Sequence, residues 1–436
     1  MRETWSDLPE TAQNLGLLAL LLLPLAVLAV ALWRGFAPGP LVRALLWRFR
    51  WANAVYAVLI AVSTGLGVGI LAQERGLRQG TAQAASKFDM VVAAPGSEMT
   101  AMLAAVFLQP SAIPLIDGAT YAEIADHPRV VLAAPIAFGD SWEGRPVVGS
   151  TADFVTYLVD GEIEGRLFRT SAEAVAGALV PLSIGDRFVP AHGDGEAADA
   201  GAHDAEIEVV GRMPPTGSPW DNALIVPVES VWETHGLANG HPLSEGDRIG
   251  PPFSPRHFPG TPAILVKPDG FSAAYALRAE INARDDLMAF FPGAVLSDLY
   301  RVMGDVRQAM SLMTLVTQVL VALSVLLGLF ILSRLFARQL ALLRALGAPG
   351  RFVMAVVWGY GTVLTLIGAG AGLLVGLSAA SVLSRIVTAR TDIAITSSLG
   401  WTEVHLLAGF VSIVSILTLI PAVAVLRQPV VKGLRA

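Results

Sequence analysis

Five apolar runs stand out along the chain, from about Leu15 to Trp33, Ala52 to Ala72, Met310 to Leu332, Phe352 to Val387 and Val404 to Val425. Each is long enough to cross a bilayer as a helix, which takes about 20 apolar residues. The fourth exceeds one crossing. As a helix it would measure ~54 Å against a hydrocarbon core of ~30 Å, so it must tilt, break or project outward. Within it Gly368, Gly372 and Gly376 recur every fourth residue, a small-residue stripe suited to direct packing on another helix.

Between the second and third runs, over about 73–305, the pattern changes. A polar helical stretch to Lys87 reads as a stalk continuing the second run outward. Short β-type runs follow at Phe88–Ala93, Arg129–Ala134, Pro146–Gly149, Glu206–Gly211 and Ala263–Lys267, each bounded by Gly, Pro or Asp. Helices are predicted over 97–108, 118–126 and 271–284, and from about Leu296 a second stalk leads back to the apolar runs. The expected fold is a membrane protein: an α-helical transmembrane bundle of five spans, with a large α+β extracytoplasmic domain between spans two and three.

Charge orients this arrangement. From Glu74 to Asp298 the chain carries 30 acids and 14 basic residues, whereas 34–50, 334–351 and 427–436 carry four, four and three basic residues and no acid. By the positive-inside rule the three basic segments are cytoplasmic and the acidic domain is outside. The N-terminus, with Glu3, Asp7 and Glu10 against Arg2, is then outside as well. Its acidic start favours a span over a signal peptide, although Ala29-Val-Ala31 resembles a cleavage site. Residues 41–50 are basic and aromatic, with Trp47 and Trp51 at headgroup level, and read as a helix along the inner membrane face.

The stretch Arg338-Gln-Leu-Ala-Leu-Leu-Arg-Ala-Leu-Gly347-Ala-Pro-Gly-Arg351 links the third and fourth runs. It reads as a short amphipathic helix with Leu340, Ala341 and Leu343 on one face, Arg338 and Arg344 off it, and Gly347 as the stop. Two readings are open: an ordinary positive-inside loop, or a lever gripped from the cytoplasm.

Composition excludes several chemistries. With 54% apolar residues the chain is an integral membrane protein, and with no cysteine it has neither disulfides nor thiolate sites. Its three lysines, Lys87, Lys267 and Lys432, do not follow glycine, so there is no P-loop, and the nucleophile-elbow and zincin motifs are absent. Gly67-Val-Gly69-Ile-Leu-Ala72 matches a dinucleotide fingerprint formally but lies in a membrane run, where glycines serve helix packing. His192, Asp194, His203 and Asp204, among further acids, form a zinc-type donor set, with a solvated loop as the alternative reading. His235, His241 and His257 are taken as surface residues. Met99, Met102, Leu103, Val106, Phe107 and Leu108 read as core rather than substrate patch. Arg385, near the outer end of its run, gives little support to an ion pathway.

The 338–348 segment, Ile420-Pro-Ala, Arg427-Gln-Pro429 and Leu434-Arg435 together resemble an FtsX-type permease subunit of an ABC transporter. Val130–Pro135, Val148–Phe154, Glu162–Phe168, Val209–Gly211 and Pro214–Gly217 resemble a MacB-like periplasmic domain. The resemblance covers roughly 41–436. It divides the chain into an additional N-terminal transmembrane helix (1–35), a cytoplasmic amphipathic helix (36–51), a span (52–72), the periplasmic domain with its stalks (73–305) and an FtsX-like region with three spans (306–436). The family core has four spans, so the first helix is an addition, and Ala176–Pro181 departs from the regular helix common in related domains.

The resemblance implies a non-catalytic subunit of the bacterial inner membrane, working as a homodimer or pseudo-dimer on a cytoplasmic ABC ATPase dimer. ATP and magnesium would be bound by that partner, and no nucleic acid is involved. Arg338, Gln339, Leu340, Leu342, Leu343, Arg344, Leu346 and Gly347 would couple ATP hydrolysis to movement of the periplasmic domain, termed mechanotransmission in this family. The load would be a lipoprotein, lipid, peptide or other hydrophobic substrate, with a periplasmic or outer-membrane partner. The alternatives are a signal relay that activates a periplasmic enzyme, and metal-linked transport with zinc at the His/Asp loop.

Overall fold

The computed structural model describes residues 8–109, 111–192, 206–335 and 337–427. In chain order the helices and strands are α1 (Glu10–Trp33), α2 (Gly39–Arg48), α3 (Arg50–Ala85), β1 (Met90–Ala93), α4 (Glu98–Ala105), α5 (Gly118–Ala125), β2 (Val130–Trp142) and β3 (Arg145–Ser150). Then come α6 (Ala152–Leu158), β4 (Glu164–Gly165), β5 (Glu173–Ala176), β6 (Arg187–Phe188), β7 (Ala191–His192), β8 (Ile207–Arg212), β9 (Leu224–Pro227) and α7 (Val228–Thr234). The chain continues through β10 (Ala263–Pro268), α8 (Phe271–Ile281), β11 (Met288–Phe290), α9 (Pro292–Leu335), α10 (Ala337–Ala345), α11 (Gly350–Thr391), α12 (Trp401–Leu417) and α13 (Leu419–Leu426).

Two compact units result. A helical unit takes 1–76, 304–384 and 396–436, and a domain takes 77–303 together with 385–395. Among the described residues four helical segments are long and apolar enough to cross a membrane: Glu10–Trp33, Arg50–Ala85, Gly350–Thr391 and Trp401–Leu426. The third of the five expected spans appears within α9 as a shorter apolar stretch, Leu312–Gly328. The last span is divided at Thr418, because Pro421 has no N–H to offer the carbonyl four residues earlier. Inside the unit, Val42, Ile60, Val325, Leu340, Val356 and Val414 build one apolar cluster.

The domain is built on one eleven-stranded sheet with the order β11-β1-β10-β2-β3-β9-β5-β8-β4, to which β6 joins at β8 and β7 at β2. Most neighbours are antiparallel, but β3 with β9 and β5 with β8 are parallel. Strand β2 serves two partners within the main strand order, besides β7. Its first half pairs with β10 and its second with β3, with a register shift between Ala137 and Asp140.

Both faces of this sheet are covered. Val91, Ile136, Val148, Val175, Ile225 and Leu265 feed a core shared with α4 and α6 and the turn residue Trp220. Their strand neighbours Val92, Ala137, Val147, Ala174, Leu224 and Val266 feed a second core with α5, α7 and α8. Alternate side chains point to opposite faces, so strands buried on both sides become continuous apolar runs. Three helix starts in the domain, those of α4, α5 and α6, carry side-chain caps: Ser97, Asp117 and Thr151 accept hydrogen bonds from Thr100, Thr120 and Phe154 backbone N–H groups.

The stretch 176–181 is not helical. Val180 N–H bonds to Gly177 O, and Gly177 lies where a Cβ would come 2.5 Å from the Trp220 carbonyl oxygen. The Met102, Val106 and Phe107 side chains are buried, in agreement with a core reading, whereas Leu103 is exposed.

Candidate coupling site

Helix α10 has two distinct faces. Leu340 and Ala341 are 3% and 6% exposed, and Leu343 packs beside them on the cluster that includes Val42 of α2. Arg338, Gln339, Leu342, Ala345 and Leu346 are exposed, Leu346 at 85%. Positions 338, 342, 345 and 346 follow a helical spacing of four, three and one, so an arginine and two leucines form one outward stripe. The helix ends in a Schellman motif: Gly347 N–H bonds to Arg344 O, Ala348 N–H bonds to Leu343 O, and Gly347 has φ +96°. A residue with a Cβ would be strained at that position.

Arg344 does not share the outward stripe. Its Nη1 donates to the Leu426 carbonyl oxygen at 3.2 Å, at the C-terminal end of α13. A guanidinium there meets the negative end of a helix dipole as well as a hydrogen-bond acceptor. The last span and α10 are thereby tied together.

The glycine stripe on α11 faces α3. A Cβ on Gly368 would come within 2.6 Å of Ile60 Cβ, one on Gly372 would run into Thr64 Oγ1, and one on Gly376 would sit 2.5 Å from Gly65 O. Gly65 returns the contact, since its own Cβ would lie 3.0 Å from Gly372 O. Removing Cβ atoms at this crossing lets the two backbones touch, the usual role of small residues in membrane helices.

The first helix docks on the end of the chain. Ser412 Oγ donates to Leu21 O at 2.6 Å, His405 Nε2 lies 3.0 Å from Asn14 O, and Trp33 meets Trp358 edge-on at 6.2 Å between centroids. Arg351, near the start of α11, bonds to Ala31 O.

Two buried glutamates among the described residues had no sequence signal. Glu403, fully buried, forms an ion pair with Arg75 at 2.8 Å and accepts from the Gly400 N–H at 3.1 Å, at the start of α12. Glu229, on α7 in the domain, is 1% exposed and lies 3.4 Å from His241, whose side chain is equally buried. His241 is therefore not a surface residue, because the loop after α7 folds back and covers it. Glu229 Oε1 accepts from Gly250 N–H at 2.5 Å, while Glu229 Oε2 and His241 Nδ1 have no hydrogen-bond partner among the described residues. Burial pushes the Glu229 carboxyl up to about 7 and the His241 imidazole down.

Of the zinc-type residues, Asp194, His203 and Asp204 lie outside the described residues, as does the side chain of His192. Among the described residues no group of three His, Asp or Glu is arranged to hold a metal.

No known family model matches the chain, and none of the curated proteins matches it. Among solved structures it is similar to the crystal structure of the periplasmic region of MacB from Actinobacillus actinomycetemcomitans, at 11% identity and a TM-score of 0.30. That likeness covers 50% of this chain and 95% of the other.

Proposed function

We propose that this chain is the membrane subunit of an ATP-driven machine of the FtsX type, working by mechanotransmission. The observation that carries the reading is the two-faced helix α10. One face is built into the helical unit through Leu340 and Ala341, and the other presents Leu342 and Leu346 beside Arg338. Exposed leucines on a basic segment are costly for an ordinary loop and suited to a groove on a partner. The charge distribution puts that segment in the cytoplasm, and the chain has no P-loop of its own. An ATPase in trans supplies what is missing.

In this reading a dimeric cytoplasmic ATPase grips α10 and binds ATP and magnesium. Closure of the ATPase displaces the helical unit, and five spans with a periplasmic domain transmit the motion. The Gly368–Gly376 stripe keeps α3 and α11 moving together. The load is a lipoprotein, lipid or other hydrophobic substrate, moved by a homodimer in the inner membrane. Affinity purification of the full chain from native membranes in mild detergent tests this. A cytoplasmic ABC ATPase is expected at one copy per chain, retained by the parent and lost from Leu342→Asp/Leu346→Asp. A preparation with no nucleotide-binding subunit overturns it.

A further inference from the structure

Helix α11 runs without a break from Gly350 to Thr391, and residues 385–395, which include its last turns, belong to the domain. The fourth apolar run, too long for one crossing, thus ends in the domain. After the helix the chain turns at Asp392, whose φ of +54° is a left-handed conformation that glycine usually fills. The aspartate offers what glycine lacks. Its Oδ1 accepts from Asn222 Nδ2 at 3.0 Å. Ile393 and Ile395 then enter the core that holds Ala84, Ala85 and Trp220, while Ala394 between them is exposed. The Asp392 and Ile395 N–H groups donate to Thr388 O at 2.9 Å and Thr388 Oγ1 at 3.1 Å, which folds the segment back on the end of α11.

The seat of this segment is α3. A Cβ on Gly80 would come 2.7 Å from the Ala394 carbonyl oxygen and 3.3 Å from the Ile393 and Ile395 side chains. Glycine weakens a helix, and what it provides here is the close approach of another backbone. The stalk of α9 meets the same stretch of α3: the Tyr300 hydroxyl is bonded to Thr81 Oγ1 and lies 3.2 Å from Arg78 O. Earlier on α3, Arg75 Nη1 donates to Ser398 O at 3.1 Å, so the connection is held on both sides of Ala394.

We propose that the α11–α12 connection is a third anchor of the domain besides its two stalks, seated on α3 at Gly80, and that movement of α11 reaches the domain through it. The transmission half rests on the coupling reading, because α10 leads directly into α11 and the far end of α11 is this anchor. The anchor itself needs no ATPase.

The test uses the full chain in lipid nanodiscs, read by hydrogen exchange. Gly80→Ala raises the helix propensity of α3 but sets a methyl group against the Ala394 carbonyl, so helix stability and docking change in opposite directions. Exchange in 388–398 is expected to rise roughly tenfold in this variant. A short thiol-specific cross-link between Asn222→Cys and Asp392→Cys, in a chain with no other cysteine, is expected to restore the protection. With the ATPase bound and trapped by ATP and vanadate, exchange in 77–85 and 220–226 is expected to change in the parent, to lose that response in Gly80→Ala, and to regain it with the cross-link. Unchanged exchange in 388–398 of Gly80→Ala overturns the anchor. A nucleotide response that Gly80→Ala retains in full overturns its part in transmission. If no ATPase binds, the coupling reading and the transmission half fall together, and the nucleotide-free comparison still decides the anchor.

Discussion

The two units use the same apolar residues in opposite ways. In the domain Val91, Val92, Ile225 and Ile264 are wholly buried between two cores, whereas in the helical unit Leu20, Leu320 and Leu374 are more than half exposed. Exposed leucine is costly in water and favourable in hydrocarbon, so the difference marks which surface meets lipid. The packing devices differ too. Large rings such as Trp220 and Phe154, 5.1 Å apart, fill the domain, while the helices are joined by missing side chains at Gly368, Gly372 and Gly376. A water-soluble domain gains by burying apolar area. Membrane helices already sit in an apolar solvent and gain by close fit.

The sharpest way to break this comparison is to remove a large ring from the domain. Trp220→Ala is expected to cost about 3–5 kcal/mol, seen as lost hydrogen-exchange protection in 88–106 and 220–226. Leu20→Ala, on a lipid-facing surface, should change stability by only about 0.5 kcal/mol or less. Comparable losses from the two would remove the distinction.

The glycine contacts give the next largest effect. Gly372→Ala, whose Cβ would meet Thr64 Oγ1, is expected to destabilise the α3–α11 pair by about 1–3 kcal/mol. Gly370, two residues away, has nothing within 4 Å of its hypothetical Cβ, so Gly370→Ala should be neutral or slightly stabilising. Thermal unfolding of both variants in nanodiscs separates packing from helix propensity.

The buried carboxylates sharpen the comparison further. Glu403 in the helical unit has a permanent cation beside it, whereas Glu229 in the domain has only an imidazole. With its carboxyl raised from the ordinary 4.5 to about 7, folded Glu229 keeps a proton that the unfolded chain releases between those values. Its contribution to stability therefore declines as pH rises from about 4.5 to about 7 and stays reduced above that. Glu229→Gln should remove this decline and raise domain stability at pH 8 by up to about 3 kcal/mol. His241, lowered by burial, works in the other direction, costing stability as pH falls below about 6.5. The variant should thus show a stability that only rises with pH over this range. Unfolding midpoints of the two proteins from pH 5 to pH 8, read by exchange in 228–250, measure the change of sign.

Long uniform signals were legible in the sequence, and pairings across the chain were not. The runs of α1, α3, α11 and α12 and the strands β1, β8 and β10 stand out through length or through flanking Gly and Pro. Strands β5, β9 and β11 have three or four residues each and apolar side chains on both faces, so they show no alternation. In α10 the 3.6-residue period separates Leu340 and Ala341 from Arg338, but nothing local tells that Arg344 reaches Leu426, 82 residues on. Arg75 and Glu403 are 328 residues apart, and Glu229 and His241 are buried only because a loop returns over them.

In the proposed function α10 passes work from a cytoplasmic ATPase. Its most direct measurement is ATP hydrolysis by the co-purified nucleotide-binding subunit, reconstituted with the parent chain or with Leu342→Asp/Leu346→Asp. The variant should lose at least tenfold of the stimulation while insertion and exchange protection of the spans stay unchanged. Full stimulation by the variant would contradict the account.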